Sequence, residues 1–413
     1  MTGPPPAGSG PATFDAGAPG AGAAAGGRPH IAVVGAGAFG GWTALTLLER
    51  GARVTLLDTW GPGNSRSSSG GETRVIRAIY GPDRLYVEWV ARSLPRWLEL
   101  QARSRLPIYQ ETGALWMVQG AGGYARSSLP LLAAAGFPAA ELPLDEARRR
   151  FPQVRFDGVT SVFLEQRAGS LAARRACRAV AAEVVRAGGE LRETAARPGE
   201  IQGGAMGPLA LADGSRLAAD GYVFACGPWL GELFPALLGP HLVPTRQDVF
   251  FFGPPPGAAG RFGAGALPVW IDLGERIFYG IPGNDHRGFK LADDTRGEPF
   301  DPTRGERVPS PETLERARRY LALRFPELAG APLVEARVCQ YENSPDGHLL
   351  ADRHPEAENA WLAGGGSGHG FKLAPALADH LAGLVLDRRP PLPELSVARL
   401  DRPLARRTQF ESA

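Results

Sequence analysis

The chain has 413 residues and a formal net charge of +2, and its acidic and basic residues interleave along the sequence. This balance excludes the basic footprint of a nucleic-acid or membrane-surface partner, and no apolar run approaches the roughly 18 residues that span a bilayer. The three cysteines are widely spaced and form no C-x-x-C pair. Their number and spacing exclude a disulfide framework or a cysteine zinc site and predict a cytoplasmic protein without a bound metal.

The amino-acid composition of the N-terminal region changes sharply near residue 30. Residues 1–28 consist almost entirely of Gly, Ala, Pro, Ser and Thr, and too few large apolar side chains are present to fold, so we predict a disordered tail. From His30 the pattern changes: Ile31–Val34 predicts a short buried strand, Gly41–Arg50 a helix and Arg53–Leu57 a second strand. This order is typical of a βαβ unit.

A glycine motif joins the first predicted strand to the first predicted helix. In Gly35-Ala-Gly37-Ala-Phe-Gly40, the glycines permit a tight turn and the approach of a pyrophosphate to the helix N-terminus. Asp58 closes the next strand, at the spacing of an acid that accepts hydrogen bonds from ribose hydroxyls. The motif alone does not distinguish FAD from NAD, but its place at the start of the fold, with a second glycine-rich signal near the far end, favours FAD.

Helical and strand patterns continue through the rest of the chain. Helical character extends over Ala91–Gln101, Leu144–Arg150, Ala172–Ala187 and Pro311–Arg324, and strand character over Tyr222–Ala225, Val249–Phe252, Val269–Leu273 and Arg276–Ile281. The strands within residues 240–290 are separated by Gly and Pro turns. They predict an antiparallel sheet distinct from the βαβ part.

Lysine is almost absent, since Lys290 and Lys372 are the only two among 45 basic residues. Where arginine replaces lysine for every generic charge, a surviving lysine is a candidate for a task that needs a compact, titratable ammonium. On composition alone, random retention of two lysines is as good an explanation as function. Their neighbours favour function, because Lys372 ends the glycine-rich run that starts at Gly366 and Lys290 follows the strand-like segment at Tyr279.

Two further segments carry a family signal. Near the C-terminus, Cys339-Gln-Tyr341 precedes Ser344-Pro-Asp-Gly-His348 and a glycine-rich run from Trp361 to Lys372, which predicts a strand, a turn and a helix. Downstream of Asp58 stands Glu72-Thr-Arg74-Val-Ile-Arg77-Ala-Ile-Tyr80-Gly81. Together with the dinucleotide motif, these segments closely resemble monomeric sarcosine oxidase and its N-methyl-amino-acid oxidase relatives, over residues 30–390.

The resemblance implies an α/β, glutathione-reductase-like flavoprotein of two domains. A Rossmann-like FAD-binding domain would comprise residues 29–84, 150–229 and 336–390. A substrate domain of α+β type with an antiparallel sheet would comprise residues 85–149 and 230–335, and residues 391–413 would form a C-terminal tail.

The resemblance also implies a covalent flavin. A family cysteine at the position of Cys339 carries the flavin through a thioether, which requires a thiolate nucleophile. The alternative for any free cysteine is a buried, inert thiol. We assign Cys177 and Cys226 to that inert class and Cys339 to attachment.

Further roles follow from the same resemblance. Lys290 matches the lysine that activates oxygen, because a fixed cation stabilises the charge that develops on dioxygen. Arg77 and Lys372 match the pair that holds the substrate carboxylate, and Tyr279 matches a tyrosine of the substrate pocket. Other pocket candidates are Tyr80 and Tyr341, either of which could equally be a core tyrosine. The remaining cofactor contacts are predicted at Ser68, Arg74, Gly366, Gly368, His369 and Gly370.

One position departs from the family pattern. The sarcosine oxidases place a histidine four residues after the oxygen-activating lysine, whereas this chain has Asp294 there. A carboxylate at that point would repel the substrate carboxylate and attract a protonated amine or a basic side chain, so Asp294 is a pocket candidate that bears on substrate choice.

The predicted activity is FAD-dependent oxidation of the C–N bond of a secondary amine to an imine, with O₂ reduced to hydrogen peroxide, by a monomer. Three alternatives stay open. The protein could be a flavin dehydrogenase that passes electrons to a carrier, a biosynthetic oxidase of cyclic amines or imines, or a flavin-binding protein without catalysis. An NAD-dependent dehydrogenase is a weaker fourth reading.

Overall fold

The protein is described by a computed structural model over residues 27–402 and Phe410. The predicted N-terminal tail therefore lies outside the described residues, apart from Gly27 and Arg28. Most of the segment 403–413 lies outside them too. The division of the chain into two domains at the predicted boundaries stays a prediction.

The described strands are β1 (His30–Val34), β2 (Arg53–Asp58), β3 (Thr73–Ile76), β4 (Tyr109–Glu111), β5 (Ala114–Val118), β6 (Ala139–Leu142), β7 (Ser161–Glu165), β8 (Gly169–Ala172), β9 (Glu190–Glu193), β10 (Ala196–Arg197), β11 (Ile201–Gln202), β12 (Ala205–Met206), β13 (Leu209–Leu211), β14 (Arg216–Leu217), β15 (Gly221–Phe224), β16 (Val243–Phe252), β17 (Val269–Leu273), β18 (Ile277–Ile281), β19 (Phe289–Asp293), β20 (Leu333–Asn343), β21 (Leu350–His354) and β22 (Ala357–Gly364). The described α-helices are α1 (Ala38–Glu49), α2 (Arg84–Ser104), α3 (Gly123–Ala134), α4 (Leu144–Arg150), α5 (Ala173–Arg186), α6 (Leu230–Leu233), α7 (Pro311–Arg324) and α8 (Ala374–Asp387).

A six-stranded sheet in the order β21-β22-β15-β1-β2-β9 forms the first layer. Strands β22, β15, β1, β2 and β9 are parallel, and β21 lies antiparallel at one edge. Because side chains alternate along a strand, Ile31 and Val33 pack with α1, α5 and α8 on one face. Ala32 and Val34 pack on the other face against the short strands β10, β12, β13 and β14. The predicted α/β dinucleotide-binding fold is confirmed.

A second, eight-stranded sheet has the order β20-β16-β19-β18-β17-β5-β7-β6. Its neighbours are antiparallel except β17 and β5, which run parallel, so the predicted antiparallel sheet is confirmed with one parallel pair. One face buries Phe250 and Trp270 against Leu321 of α7. The opposite face carries Tyr279 and Cys339. Alternation along the strands thus separates a packed core from a face that is available for chemistry.

Helix α7 illustrates how the sequence sets an element's bounds. It begins where Ser310 accepts a hydrogen bond from the Thr313 amide, with Pro311 in the first turn, where no amide donor is needed. Its end is held by an ion pair at full burial between Arg324 Nε and Asp272 Oδ2, 2.8 Å apart. The helix has the predicted bounds.

A third sheet, β3-β8-β4, is antiparallel.

The first helix starts at Ala38 rather than at the predicted Gly41, because its first turn lies within the glycine motif. Strand β22, the following turn and α8 confirm the strand–turn–helix predicted near the C-terminus. Among the described helices, none combines the length and apolar character that crossing a membrane requires.

Candidate active site

A cavity of about 340 Å³ opens where β1, β2 and β15 end. Such a crevice at the carboxyl ends of parallel strands is where α/β folds bind nucleotides. Most of the predicted cofactor residues line it, namely Gly35, Gly37, Asp58, Ser68, Arg74, Gly366, Gly368 and Gly370. Tyr341, predicted for the substrate pocket, lines it as well.

The glycine motif shapes one wall of this cavity. Gly35 has a φ of +104°, and a Cβ there would lie 2.3 Å from the Ala225 carbonyl oxygen. A Cβ on Gly40 would lie 1.8 Å from the Gly35 oxygen, so Gly40 supports the turn without lining the cavity. At Gly37, by contrast, the nearest atom would be Ser69 Oγ at 3.4 Å. The turn leaves the start of α1 accessible to an anion such as a pyrophosphate.

Asp58 is held in place at the end of β2. Its Oδ2 accepts a hydrogen bond from the Ala36 amide at 2.8 Å, and its Oδ1 accepts one from the Trp60 amide at 2.9 Å. Burial raises the pKa of Asp58, and the amides oppose that shift. The carboxylate lines the cavity and can accept hydrogen bonds from ribose hydroxyls.

These residues fit FAD. Besides the glycine cradle and the acid, Ser68 Oγ is buried and has no hydrogen-bond partner among the described residues. A buried hydroxyl of this kind needs a partner, and one from a ligand in the cavity would supply it. The donor and acceptor set is that of a dinucleotide site.

A smaller cavity of about 50 Å³ adjoins the large one. Eight predicted residues line it and come from distant parts of the chain: Arg74, Arg77, Tyr279, Asp294, Tyr341, Gly368, His369 and Lys372. The two cavities share Arg74, Tyr341, Gly368 and Phe371 as walls. A ligand of the small cavity would therefore lie next to a ligand of the large one.

Two cationic side chains meet in the small cavity. Lys372 Nζ donates a hydrogen bond to the His369 carbonyl oxygen at 3.1 Å, and Arg77 donates to the Ile79 carbonyl. Both cations lie on the ring of Tyr80, with Arg77 Cζ 4.4 Å and Lys372 Nζ 5.0 Å from its centroid. Burial, followed by the nearby Arg77, lowers the pKa of Lys372 well below its usual value. An anionic ligand would offset this accumulation of positive charge.

The loop that carries Arg77 is fixed by a residue that the sequence did not reveal. Glu165 is buried, and its carboxylate accepts hydrogen bonds from the amides of Ala78 at 2.6 Å and Ile79 at 3.2 Å. Trp116 Nε1 donates to the same carboxylate at 2.7 Å. A lone Glu at a strand end carries no sequence signal for such a role, since its partners are fixed only by the tertiary fold.

Asp294 also lines the small cavity. Tyr341 donates its phenolic hydrogen to Asp294. Burial raises the pKa of Asp294 to about 6, and both the Tyr341 hydrogen bond and the Arg77 charge oppose that rise. The small cavity therefore offers two cationic groups and one carboxyl group.

His369 has a defined tautomer. Its Nε2 lies 2.9 Å from the Gly347 carbonyl oxygen and must donate to it, so Nδ1 accepts from the Tyr80 hydroxyl at 3.1 Å. Burial and the neighbouring Lys372 lower the pKa of His369 well below its usual value. The ring is neutral and occupied by structural contacts, which agrees with a structural role rather than that of a general base.

Lys290 and Cys339 are not among the described residues that line either cavity. Lys290 is buried, its Nζ donates to the Thr73 carbonyl at 2.9 Å, and it lies 5.4 Å from the Tyr279 ring centroid. Burial, and then the Arg74 charge, lower the pKa of Lys290 to about 7. Both residues thus contact residues beside or within the cavity walls, Lys290 through Thr73 and Tyr279 and Cys339 through Arg74.

The three cysteines differ in their surroundings. Arg74 Nη2 lies 3.3 Å from Cys339 Sγ. Burial raises the pKa of the Cys177 thiol to about 12 and also raises that of Cys226. Raised thiol pKa values agree with the inert roles predicted for these two residues.

Phe410 is a wall of the small cavity that the sequence did not indicate. Its ring centroid lies 5.0 Å from Arg77 Cζ, and its ring meets that of Trp116 edge-on at 6.1 Å. A single aromatic residue in a polar C-terminal segment gives no periodic pattern that would place it in a site.

The parallel sheet, the glycine turn and the acid at the end of β2 define a dinucleotide-binding protein, and a second, smaller cavity adjoins its nucleotide cavity. No group of three or more His, Cys, Asp or Glu that could hold a metal occurs within the described part of the chain. A family model described as FAD dependent oxidoreductase matches residues 30–384, and the chain belongs to that family. FAD is therefore its cofactor and oxidation–reduction its class of reaction.

Known proteins resemble the chain over nearly its whole length. Monomeric sarcosine oxidase of Arthrobacter sp. (strain TE1826) is 30% identical over 386 residues, covering 90% of this chain and 96% of that protein. Monomeric sarcosine oxidase of Bacillus sp. (strain B-0618) is 28% identical, with the same coverage of both chains. The crystal structure of L-proline dehydrogenase from P. horikoshii superimposes with a TM-score of 0.78 at 20% identity, covering 92% of this chain and all of that one. The resemblance to sarcosine oxidases is confirmed.

Proposed function

We propose that the protein is an oxidase that acts on the C–N bond of a secondary amino acid, of the kind that N-methyl amino acids provide. The observation that carries this proposal is the small cavity, which Arg77, Lys372 and Asp294 line together beside the FAD cavity. An amino acid presents the complementary charges, a carboxylate and an amine. The sarcosine oxidases named above support this choice of substrate class.

Each side chain has a defined task in this proposal. Arg77 and Lys372 bind the substrate carboxylate and so fix the substrate's orientation, which lowers the entropic cost of the reaction. Asp294 faces the amine end, and above its pKa of about 6 its carboxylate attracts a protonated amine. Tyr279 and Tyr341 line the cavity and restrict its width.

FAD supplies the acceptor for the two electrons that leave the substrate. The C–N single bond becomes an imine with the loss of two electrons and two protons, and water then hydrolyses the imine. Dioxygen takes up the two electrons and two protons to give hydrogen peroxide. We further propose covalent attachment of the flavin at Cys339, a monomeric state and a cytoplasmic location.

Anaerobic bleaching of the flavin absorbance band tests the proposal. The panel holds sarcosine, other N-methyl amino acids, L-proline, L-pipecolate, D-amino acids and cationic amines without a carboxylate. We expect bleaching by at least one secondary amino acid, reversal on admission of air, and formation of peroxide. Failure of every secondary amino acid to bleach the flavin would contradict the proposal.

One observation favours a second candidate, a dehydrogenase that passes electrons to a carrier. Lys290, the proposed oxygen-activating cation, is not among the described residues that line either cavity, and its pKa of about 7 leaves it partly neutral. Air reoxidation separates the two candidates. A flavin that bleaches with the amine but stays reduced in air, and is reoxidised by a quinone or an artificial acceptor, would favour the dehydrogenase.

A further inference from the structure

Glu342 is a buried acid in the FAD cavity to which neither the sequence analysis nor the proposed reaction assigns a role. It lines the large cavity, and its residue is only 5% exposed. Its Oε1 has no hydrogen-bond partner among the described residues. A buried polar atom without a partner is costly, so its presence calls for an explanation.

Neighbouring residues fix the position of the Glu342 carboxyl group. Gly364 leaves room for it, because a Cβ there would lie 2.6 Å from Glu342 Oε1. The Glu342 carbonyl accepts a hydrogen bond from the Ser367 amide at 2.8 Å, which ties β20 to the glycine turn after β22. Leu230 contributes an apolar neighbour on the same side. The position of the carboxyl group is therefore set by its neighbours rather than by solvent.

The protonation state follows from the same burial. Desolvation raises the pKa of Glu342 to about 8, against the opposing effect of the Gly365 and Gly366 amides. A pKa of about 8 favours the protonated carboxylic acid at neutral pH, and that form carries a hydrogen that it can donate. An acceptor atom of a ligand in the cavity would then satisfy it.

The place of Glu342 in the cavity indicates which part of FAD it meets. The nucleotide end of the cavity is at Gly35 and Asp58, whereas Tyr341 and Gly368 form the wall shared with the small cavity. The redox ring must lie at that shared wall in order to reach the substrate. The amides of Gly365 and Gly366 hydrogen-bond the Glu342 carboxyl group, and Gly368 of the same turn belongs to the shared wall.

We infer that Glu342 donates a hydrogen bond from its carboxyl group to an acceptor atom of the flavin ring and thereby raises the reduction potential of the bound FAD. Reduction places negative charge on the ring, and a donor aimed at developing charge stabilises it. The inference depends on FAD as the cofactor and is independent of which amine is oxidised.

The test is the two-electron reduction potential of the holoenzyme, measured by equilibration with a redox dye in the absence of any amine. Glu342→Met removes the donor at similar size, and Glu342→Gln keeps a donor at the same position. We expect Glu342→Met to shift the equilibrium about tenfold towards oxidised flavin, equivalent to about 30 mV, as the loss of one hydrogen bond predicts. Glu342→Gln should remain within about threefold of the wild type.

Unchanged potentials in both variants, or equal shifts in both, would overturn the inference. If Glu342→Met does not retain FAD, Glu342→Leu provides the same comparison with another apolar side chain. Because the measurement needs no substrate, its failure is separate from failure of the proposed amine oxidation.

Discussion

The guanidinium group of Arg74 lies 3.3 Å from the sulfur of Cys339, and the same arginine forms part of the wall between the two cavities. The contact places the Cys339 sulfur next to a wall of the FAD cavity, within reach of the ligand that the cavity would hold. This contact gives the attachment site proposed at Cys339 a physical basis.

Replacement of Cys339 by alanine should leave the flavin uncoupled from the protein. After acid precipitation, we expect yellow colour in the supernatant of Cys339→Ala and in the pellet of the wild type. Cys226→Ala is the matched control, because Cys226 lines the FAD cavity but has a raised thiol pKa. Flavin retained in the Cys339→Ala pellet would refute this attachment site.

Removal of the ammonium group in Lys290→Met should slow reoxidation by air by roughly 100-fold, the typical effect of losing one charge-stabilising group. Reduction by substrate should change little. In the wild type, the reoxidation rate should fall as pH rises through about 7, because a lysine with that pKa loses its charge above it. Stopped-flow measurement of the two half-reactions checks this, and equal losses in both would reject the role.

Truncation of Arg77 should weaken substrate binding. A charge-assisted hydrogen bond contributes about 1.5–3 kcal/mol, so Arg77→Ala should raise KM accordingly. Arg319→Ala is the control, because Arg319 is an exposed residue of α7 that pairs with Glu315. The same KM for Arg77→Ala and the wild type would argue against carboxylate binding at this position.

The charge on Asp294 should set the pH dependence of KM. With a pKa of about 6, Asp294 is ionised above that pH and becomes neutral as the pH falls through it. The wild-type KM for a substrate with a protonated amine should therefore rise below about pH 6. In Asp294→Asn, KM should be higher than in the wild type and should no longer change as the pH passes through about 6. If the variant keeps the wild-type pH dependence of KM, Asp294 does not contact the amine.

The ring of Phe410 should support Arg77. A partly buried cation–π contact contributes about 0.5–2 kcal/mol, so Phe410→Ala should raise KM for a small amino acid and relatively favour bulkier ones. Phe410→Leu keeps an apolar side chain of similar bulk without the aromatic face, so its KM should lie between those of the wild type and Phe410→Ala. The check is a steady-state measurement of KM for one small and one bulky amino acid in each variant. Equal changes in KM for both substrates would exclude a role of Phe410 in the pocket wall.

Much of the fold could be predicted because its signals are local. Strand β17 follows directly from the apolar run Val269–Leu273, and helix α7 starts at the Ser310 cap and Pro311. The residues that set these bounds lie within or next to each element, and both elements have the predicted bounds. The glycine motif is local only in part, because Gly40 is limited by the nearby Gly35 oxygen, whereas Gly35 is limited by the Ala225 oxygen at the end of β15.

The site was predictable only in part because its contacts are not local. Family resemblance selected Arg77 and Lys372, and the fold places them on one tyrosine ring although 295 positions separate them in the chain. Glu165, Glu342 and Phe410 had no such signal. The pKa of a buried acid and the partners of an isolated ring are determined by neighbours that only the tertiary structure provides.

The shared wall between the cavities has a consequence for how such a protein can diverge. Only four of the described lining residues belong to both chambers: Arg74, Tyr341, Gly368 and Phe371. Substitutions at Asp294, Tyr279 or Phe410 can remodel the substrate chamber while the FAD chamber keeps its walls. In the proposed oxidase, single substitutions at these three positions can therefore change the choice of amine and leave the walls of the FAD chamber unchanged.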